Sequence, residues 1–393
     1  MPVSAGWMSF DTAVGLDEEL ADNPTAASCA TATGRVVRVS LRLESPPVPS
    51  SVRLYTDERV YGRPRVLAAD GDLVLINMVL TVEDELSGCY PDNFLVYKAD
   101  AHTPWLRFLP SPMDWIDDHW PWMPHLPRLL HRIGRRASVA IARSGEDFFV
   151  GSLTINYVSD NWEEVSDLLL YSSEKNMWEA KRLSKPPDPD KQYVNCLWRT
   201  DAVFSSGGFM CWVNYVRGIL RYDLTSSMDS HLSFVRFPGI EIWDDEPGVP
   251  AKLRTVSVVG DRGLLKFLDV DNGRYRSTKN GRCTITTWIL RMPELEWEKD
   301  ITVQLDDLWS LPDYQDSPLP RIMPTYPVIN GQDANIVHFV LDEEDKTWII
   351  TVDIRNITLR SYHLELDRMN QAMLRRKRVC GDVCKYLSNP SGN

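Results

Sequence analysis

Short apolar runs recur along the chain, and each is interrupted by a polar pivot that contains glycine. Five segments share this pattern, at Val66–Leu80, Val139–Ile155, Ala202–Val213, Val256–Val270 and Pro327–Leu341. The glycines of the pivots are Gly71, Gly145, Gly207, Gly260 and Gly331. A tight turn favours glycine because glycine tolerates positive φ. We therefore interpret each segment as two strands joined by a tight turn.

Two more strand-like runs follow each of these segments. The third run lies at Phe94–Ala99, Leu168–Ser173, Ile219–Leu224, Ile285–Arg291 and Trp348–Ile354. The fourth run begins at Trp105, Trp178, Leu232, Trp297 and Leu359. In Trp348–Ile354 the apolar residues alternate with Thr351 and Asp353, which is typical of a strand. Repeated four-strand units are typical of β-propeller blades, and a β-sandwich fits them less naturally.

The sequence therefore predicts an all-β, β-propeller-like fold with five to six four-stranded blades and a short C-terminal helix. Val36–Leu43 and Ser51–Thr56 have the pattern of strands in a sixth blade, which a strand from the C-terminal end would complete.

Three regions follow from this interpretation: an N-terminal extension at residues 1–35, a single β-propeller-like domain at residues 36–366, and a C-terminal helix and tail at residues 367–393. Asp367–Leu387 has helical spacing, with Met369, Met373 and Leu374 on one face.

Net charge, cysteine content and the lengths of apolar runs indicate which partners, bound metals and cellular locations to expect. The chain has 43 Lys and Arg against 55 Asp and Glu, a formal net charge of −12, so we expect no sequence-independent nucleic-acid binding. The seven cysteines form no CxxC pair, which gives no sign of a zinc site or a disulfide framework. No apolar run is long enough to span a bilayer and no secretory signal is visible, so we expect no membrane association and a cytoplasmic and/or nuclear location.

Signatures of catalysis are missing from the sequence. It contains no GxxxxGK[ST], GxGxxG, HExxH or GxSxG motif, and we predict neither enzymatic activity nor a cofactor. Asp269–Gly273 resembles the start of a calcium loop but lacks the closing glutamate. Asp223, Asp269 and Asp353 are the obvious strand-borne carboxylates for a glycosidase, but Asp223 and Asp353 occupy matching places in their units, which favours a repeated structural role.

One loop is rich in the residues that form binding hot spots. Asp114–His131 carries three histidines among aspartates, which are possible metal ligands, but its prolines and the six-residue histidine spacing match no known ligand element. We favour a partner-binding loop, because tryptophan and arginine dominate binding hot spots. Its candidate residues are Trp115, His119, Trp120, Trp122, His125 and Arg128.

The segment Gly207–Leu224 combines a cysteine with aromatic and basic residues. Cys211 lies in an apolar run without a neighbouring histidine, so we predict a buried thiol rather than a nucleophile. Asn214, Tyr215 and Arg217 form the turn that follows, and we interpret them either as an exposed tip or as polar groups that tie adjacent blades together.

A basic run lies near the C-terminal end, at Arg375–Arg378. It is a candidate nuclear-localisation signal or anionic-surface patch, although four basic residues on a terminal helix are more often simply solvated.

Specific segments resemble a plant family, expanded in grasses, that is known as domain of unknown function 1618. The strongest match is Cys211–Leu220, CWVNYVRGIL, and Gly6–Met8 and Gly71–Ile76 are similar to further family motifs. The resemblance extends from about Trp7 to Leu366. Because no catalytic activity is established for that family, the resemblance implies no catalytic residues; roles in plant stress, defence or reproductive signalling follow from it by analogy only.

The leading functional prediction is a non-enzymatic protein-interaction scaffold with an unidentified protein partner. The alternative is a carbohydrate-binding or carbohydrate-active β-propeller, because the 14 tryptophans could stack on sugars. Trp105, Trp178 and Trp297 occupy equivalent blade positions, however, and repeat-equivalent aromatic residues are more often part of a core.

Overall fold

The computed structural model describes residues 7–18, 23–80, 92–110, 112, 138–158, 163–184, 198–225, 232–238, 249–260, 263–271, 283–292, 294–343, 346–366 and 378–387. The strands in these ranges form six four-stranded sheets and one two-stranded sheet. We number the four-stranded sheets blades 1 to 6 in chain order.

The strands are assigned to the blades as follows. Strand β1 (Met8–Asp11) precedes blade 1, which contains β2 (Gly15–Leu16), β3 (Ala27–Ala30), β4 (Val36–Arg42) and β5 (Ser51–Thr56). Blade 2 contains β6 (Arg65–Asp70), β7 (Leu73–Val79), β8 (Asp92–Lys98) and β9 (Trp105–Phe108). Blade 3 contains β10 (Val139–Ser144), β11 (Asp147–Val158), β12 (Glu163–Ser172) and β13 (Met177–Leu183).

The remaining blades follow the same plan. Blade 4 contains β14 (Ala202–Ser206), β15 (Phe209–Asn214), β16 (Gly218–Asp223) and β17 (Ser233–Arg236). Blade 5 contains β18 (Arg254–Val259), β19 (Leu264–Asp271), β20 (Thr284–Arg291) and β21 (Glu296–Gln304). Blade 6 contains β22 (Thr325–Ile329), β23 (Ile336–Glu343), β24 (Lys346–Asp353) and β25 (Thr358–Glu365), and β26 (Arg378–Gly381) follows it.

Short helical segments occupy two connections. A 3₁₀ turn at Pro250–Lys252 precedes blade 5, and helices α1 (Leu305–Trp309) and α2 (Pro312–Gln315) join blade 5 to blade 6. Helix α3 (Cys384–Leu387) follows β26. Leu305, Leu308 and Tyr314 pack into the core between blades 5 and 6, so these short helices fill space between the blades.

Blades 2 to 6 confirm the five repeated units of the sequence. In each of them the strands pair antiparallel with their sequence neighbours, in the order in which the chain forms them. Four of the five pivot glycines have positive φ, between 57° and 65°: Gly71, Gly145, Gly207 and Gly260. The fifth, Gly331, is required for space, because a Cβ atom there would collide with the indole of Trp7.

Blade 1 is built differently, and it makes the number of blades six. The predicted strands at Val36–Leu43 and Ser51–Thr56 are confirmed as β4 and β5, but the order across the sheet is β2-β5-β4-β3, with β2 parallel to β5. Residues 8–30, predicted as part of an extension, instead supply β1, β2 and β3. The boundary at Val36 is wrong because these strands have only two to four residues each, and because β1 and β2 pair with β26 and β5 instead of with their sequence neighbours.

The C-terminal strand also differs from the prediction. It does not complete the sheet of blade 1; instead β26 pairs antiparallel with β1, from Met8↔Gly381 to Asp11↔Arg378. The predicted helix at Asp367–Leu387 is therefore wrong over Arg378–Gly381, because the edge of β1 offers backbone partners that a helix would forgo. The short C-terminal helix is present as α3; residues 367–377, with Met369, Met373 and Leu374, lie outside the described residues.

Successive blades pack face to face around a ring. One buried apolar cluster joins blades 1 and 2, and others join blades 2 and 3, 3 and 4, 4 and 5, and 5 and 6. A small cluster of Val340 and Ile349 with Val48 joins blade 6 to blade 1. Trp7 stacks on His338 of blade 6, with ring centroids 6.1 Å apart, at the same junction. The series of interfaces closes on itself, which is the defining property of a propeller.

Side-chain hydrogen bonds tie neighbouring blades together through main-chain carbonyl groups. In each bond the donor lies on one blade, and the acceptor lies in the preceding blade or in a connection next to that blade. The bonds are Tyr97 Oη to Thr25 O (2.7 Å), Trp178 Nε1 to Pro110 O (2.8 Å), Trp212 Nε1 to Ser138 O (2.7 Å) and Arg254 Nη1 to Tyr215 O (2.8 Å). Each bond satisfies a polar group that the packed interface would otherwise leave buried and unpaired. Of the three repeat-equivalent tryptophans, Trp178 is a core residue, whereas Trp105 and Trp297 are half-buried and pack against the edges of the clusters between blades 2 and 3 and between blades 4 and 5.

Candidate binding site in the central channel

A cavity of about 450 Å³ lies at the centre of the ring. One side of the centre is filled, because β26 packs against β6 and β6 contacts both β10 and β14. The open space remains between β14, β18, β22 and β26, and the end of β6 also lines it. A volume of this size is within the usual range for small-molecule sites, which is roughly 300–1,000 Å³.

The ribbon formed by β1 and β26 has one apolar and one polar face. Met8, Phe10 and Val379 belong to the core between blades 1 and 2. The register pairs Ser9 with Cys380 and Asp11 with Arg378, and residues directly opposite each other lie on the same face. The ribbon therefore seals the core on one face and carries polar side chains on the other.

Two of the three basic residues that line the cavity have acidic partners. Arg254 is buried on β18, where its Nε lies 2.7 Å from Asp269 Oδ1. Lys385 is exposed on α3, with its Nζ 2.9 Å from Asp382 Oδ2. Asp269 lies within β19, so its carboxylate has a structural role in the ion pair with Arg254, and the resemblance of Asp269–Gly273 to a calcium loop is not needed to account for it.

Asp70 is the acidic residue of the cavity wall on β6. Its Oδ2 accepts a hydrogen bond of 2.7 Å from the main-chain N–H of Arg143 on the neighbouring blade. Burial raises the pKa of the Asp70 carboxyl above its usual value, and the contacts with Arg143 and Ser205 oppose that shift. Asp72, two residues further on, forms an ion pair with the Arg143 guanidinium. Arg143 thus compensates the negative charge at this end of the cavity.

Arg378 lines the cavity from β26. Its Nη1 donates a hydrogen bond of 2.9 Å to the main-chain oxygen of Pro47, and its Nε is enclosed with no acceptor in the described part of the chain. Burial lowers the pKa of Arg378 to about 10. The neighbouring His338 donates to or accepts from Thr351 Oγ1 through Nδ1 at 3.0 Å, and burial, aided by the Arg378 charge, lowers its pKa to about 4.

Burial holds the Cys380 thiol and the Tyr215 phenol of the cavity wall in their neutral forms, because it raises the pKa of both groups. Burial raises the pKa of Cys380 to about 11, so this residue is a neutral thiol at neutral pH. Ser205 has Asp70 beside it, and no histidine is among the described residues that line the cavity. The pKa of Tyr215 is raised by burial. The described side chains of the cavity wall can hold a ligand by hydrogen bonds and charge.

The predicted turn residues of blade 4 are integrated into the scaffold. Asn214 is buried, its Oδ1 accepts from the main-chain N–H of Val216 and Arg217 (both 3.0 Å), and its Nδ2 donates to Arg199 O (3.0 Å). Tyr215 is buried, lines the cavity and accepts from Arg254 of blade 5 through its main-chain oxygen. Tyr215 thus takes part in a contact between blades, the hydrogen bonds of Asn214 stay within the blade 4 region, and Arg217 is half-buried.

The predicted partner-binding loop lies outside the described residues. This applies to Trp115, His119, Trp120, Trp122, His125 and Arg128. The same holds for Arg375, Arg376 and Lys377 of the basic run, but Arg378 belongs to β26 and lies inside the ring. In the parts of the chain that are described, no group of three or more His, Cys, Asp or Glu residues could hold a metal ion.

Two other sequence interpretations have a clear position in the structure. Cys211 is buried on β15, and burial raises its pKa to about 12, in agreement with the prediction of a buried thiol. Asp353 ends β24 and accepts from the main-chain N–H of Arg355 (3.2 Å) and Asn356 (3.1 Å), so it shapes the hairpin turn. Its Oδ2 also lies 2.6 Å from Arg360.

The sequence did not indicate that Asp70, Arg254 and Arg378 line a common cavity, although Tyr215 of the same wall was among the candidate residues. Two features of the sequence could have indicated these positions. Asp70 directly precedes a pivot glycine, at the end of the first strand of its unit. Arg254 is a charged residue just before an apolar segment. No local signal placed Arg378 in the channel, because its position depends on pairing with β1.

The comparison with protein families matches residues 212–338 to the family described as "Protein of unknown function (DUF1618)". The resemblance derived from the sequence motifs is confirmed over this segment, which runs from β15 to β23. No curated protein matches the chain.

Solved structures with a similar arrangement include three proteins of low sequence identity. TolB from Acinetobacter baumannii is 9% identical, with 93% of this chain and 64% of that chain covered and a TM-score of 0.38. Sqt1 from Saccharomyces cerevisiae is 9% identical, with 76% and 62% covered and a TM-score of 0.32. A putative 6-phosphogluconolactonase from Bacteroides uniformis is 10% identical, with 89% and 90% covered and a TM-score of 0.33.

These similarities carry no conclusion about activity or ligand, and the propeller-like fold rests on the strand order and the ring of interfaces. The matched regions span less than two thirds of the length of Sqt1 and TolB. Within the described ranges, no helix has the length and apolar character needed to cross a membrane.

Proposed function

We propose that the chain is a non-enzymatic interaction protein that receives part of its binding partner in the central cavity. The observation that carries this proposal is the cavity itself, about 450 Å³ in volume and bounded by strands of four blades and by β26. Preformed cavities with a few convergent polar groups are the usual form of a binding site.

The side chains around the cavity support binding rather than catalysis. Arg254 and Asp70 are held by neighbouring blades through hydrogen bonds, which gives a rigid, preorganised wall. Cys380 is a neutral thiol at neutral pH, because burial raises its pKa to about 11. A rigid wall without an activated nucleophile suits recognition of a partner.

The biological setting of the partner belongs to the same proposal. We propose a protein partner and a cytoplasmic or nuclear location and, only by analogy with the family that the motifs resemble, a role in plant stress, defence or reproductive signalling.

Two serine variants test whether the cavity is the interface. Ser257 lines the cavity on β18, so Ser257→Trp would fill part of the space, whereas Ser361→Trp places the same side chain on the exposed outermost strand β25. Affinity purification from the source tissue should recover the same proteins with the wild type and with Ser361→Trp. Ser257→Trp should lose at least one of them by tenfold or more.

Circular dichroism and thermal melting establish that both variants are folded before the comparison is made. Equal recovery by all three proteins would show that the cavity is not the interface. In that case, replacement of Asp114–His131 by Gly/Ser tests the loop interpretation of the sequence.

A further inference from the structure

Among the described basic residues that line the cavity, all but one have an acidic partner. Arg254 has Asp269 at 2.7 Å, and Lys385 has Asp382 at 2.9 Å. Arg378 forms no ion pair within the part of the chain that the structure describes; the hydrogen bond from its Nη1 goes to a neutral acceptor, Pro47 O.

The groups that face Arg378 do not replace a counter-ion in contact with it. Asp11 lies opposite it in the ribbon and acts on it through space; the influence of Cys380 and then of Asp11 raises the pKa of Arg378 against the larger effect of burial. Cys380 carries a thiol whose pKa is raised to about 11, and His338 is neutral at pH 7 because its pKa is lowered to about 4. Trp7, which stacks on His338, contributes an apolar ring.

Arg378 is nevertheless charged at neutral pH. Burial lowers its pKa only to about 10, three units above neutrality. A buried guanidinium is usually paired with a carboxylate or phosphate, because an uncompensated buried charge is destabilising. The free space beside it is large enough for such a group to come from a ligand.

We propose that Arg378 anchors a compact anion, a carboxylate or phosphate group, in the central cavity. This inference rests on the proposed binding function and adds the chemical class of what is bound. The planar guanidinium fork can donate two parallel hydrogen bonds to either group. The net charge of −12 disfavours anion binding over the surface as a whole, so a saturable response to anions would report on a particular site.

Thermal melting with two simple anions tests the proposal directly. The probes are sodium phosphate and sodium succinate, each titrated against sodium chloride at constant ionic strength. The wild-type melting temperature should rise saturably with at least one probe. A response to phosphate alone or to succinate alone distinguishes the two chemistries.

Arginine variants locate the response. Arg378→Gln should weaken the apparent affinity for the active probe at least tenfold, and Arg378→Lys should retain part of it. Arg291→Gln, at an exposed residue paired with Glu298 on blade 5, is the matched control and should respond as the wild type does. The absence of any saturable shift in the wild type, or an unchanged affinity in Arg378→Gln, would overturn the proposal.

A measurement on the wild-type protein covers the case in which Arg378→Gln does not fold. Crystals soaked in sodium selenate should show anomalous density within hydrogen-bond distance of the Arg378 guanidinium. Selenate density at other positions alone would contradict the inference. If both anion tests fail while Ser257→Trp still loses its partners, the cavity is a binding site that recognises another chemistry, and only the anion proposal is wrong.

Discussion

Blade 4 and blade 1 both contain four strands, yet the chain builds them in different ways. Blade 4 is formed by one continuous segment in which each strand pairs with the next, from β14 to β17. In blade 1 the strand β2 pairs in parallel with β5, and the preceding strand β1 takes its partner from residues 378–381. The comparison separates what a local pattern can specify from what depends on closure of the ring.

The largest expected effect concerns the core of blade 4. Trp212 is fully buried and donates to Ser138 O of the preceding segment at 2.7 Å, so Trp212→Ala removes both packing and a tie between blades. We expect the free energy of unfolding to fall by about 3–5 kcal/mol. Urea denaturation followed by circular dichroism measures this fall. A loss below about 1 kcal/mol would show that the blade 3–blade 4 interface is not a principal source of stability.

The corresponding change at the ring closure is Trp7→Ala. Trp7 stacks on His338 and fills the space that Gly331 leaves open, so its removal should cost about 3 kcal/mol. Because the closure joins blades 1 and 6, native-state hydrogen exchange should accelerate in those blades more than in blade 4. Uniform acceleration of hydrogen exchange in all blades would show that blades 1 and 6 do not open separately from the rest of the ring.

The stability of the ring closure between blades 1 and 6 should also depend on pH, because His338 lies there. Its folded-state pKa of about 4 lies below the value of about 6.5 expected for the unfolded chain, so the folded state binds fewer protons. The contribution of this residue is therefore complete above about pH 6.5 and declines as the pH falls toward 4. Linkage gives a loss of about 2 kcal/mol between pH 7.5 and pH 5.

Urea denaturation across this pH range measures the effect of His338. His338→Gln should remove the corresponding part of the pH dependence, whereas His363→Gln, on the exposed strand β25, serves as the matched control. An unchanged pH dependence in His338→Gln would show that other groups destabilise the protein in acid.

The smallest expected effect returns to blade 4. Cys211→Ser replaces a buried thiol by a hydroxyl in an apolar cluster, which should cost about 1–2 kcal/mol. Partner recovery by the folded variant should match the wild type. A loss of partners without a loss of stability would give Cys211 a role in binding that its burial does not suggest.

The repeated blades were readable from the sequence because their information is local. In Trp348–Ile354 the four residues at alternate positions, Trp348, Ile350, Val352 and Ile354, do lie in one cluster between blades 5 and 6. Four of the five pivot glycines mark turns whose φ values admit few other residues. Such patterns need only neighbouring residues for their interpretation, so five blades followed from them.

The candidate site was not readable, because it is made by distant contacts. Arg378 follows three other basic residues and had the pattern of a solvated run, whereas pairing with Asp11 places it inside the ring. Arg254 and Tyr215 meet only because blades 4 and 5 are neighbours. The hydrophobic periodicity of the sequence does not indicate which innermost strands lie close enough together to fill the channel and which leave a cavity.

The pairing of β1 with β26 has a consequence for the order of events during synthesis. Asp11 leaves the ribosome about 370 residues before its partner Arg378, which at roughly 5–20 residues per second is a wait of roughly 20–70 s. Throughout that time the backbone N–H and C=O groups of β1 lack their partners in β26, and such an unpaired edge pairs readily with another chain. We expect chaperone contacts on ribosome-bound chains to concentrate there and to end when β26 emerges.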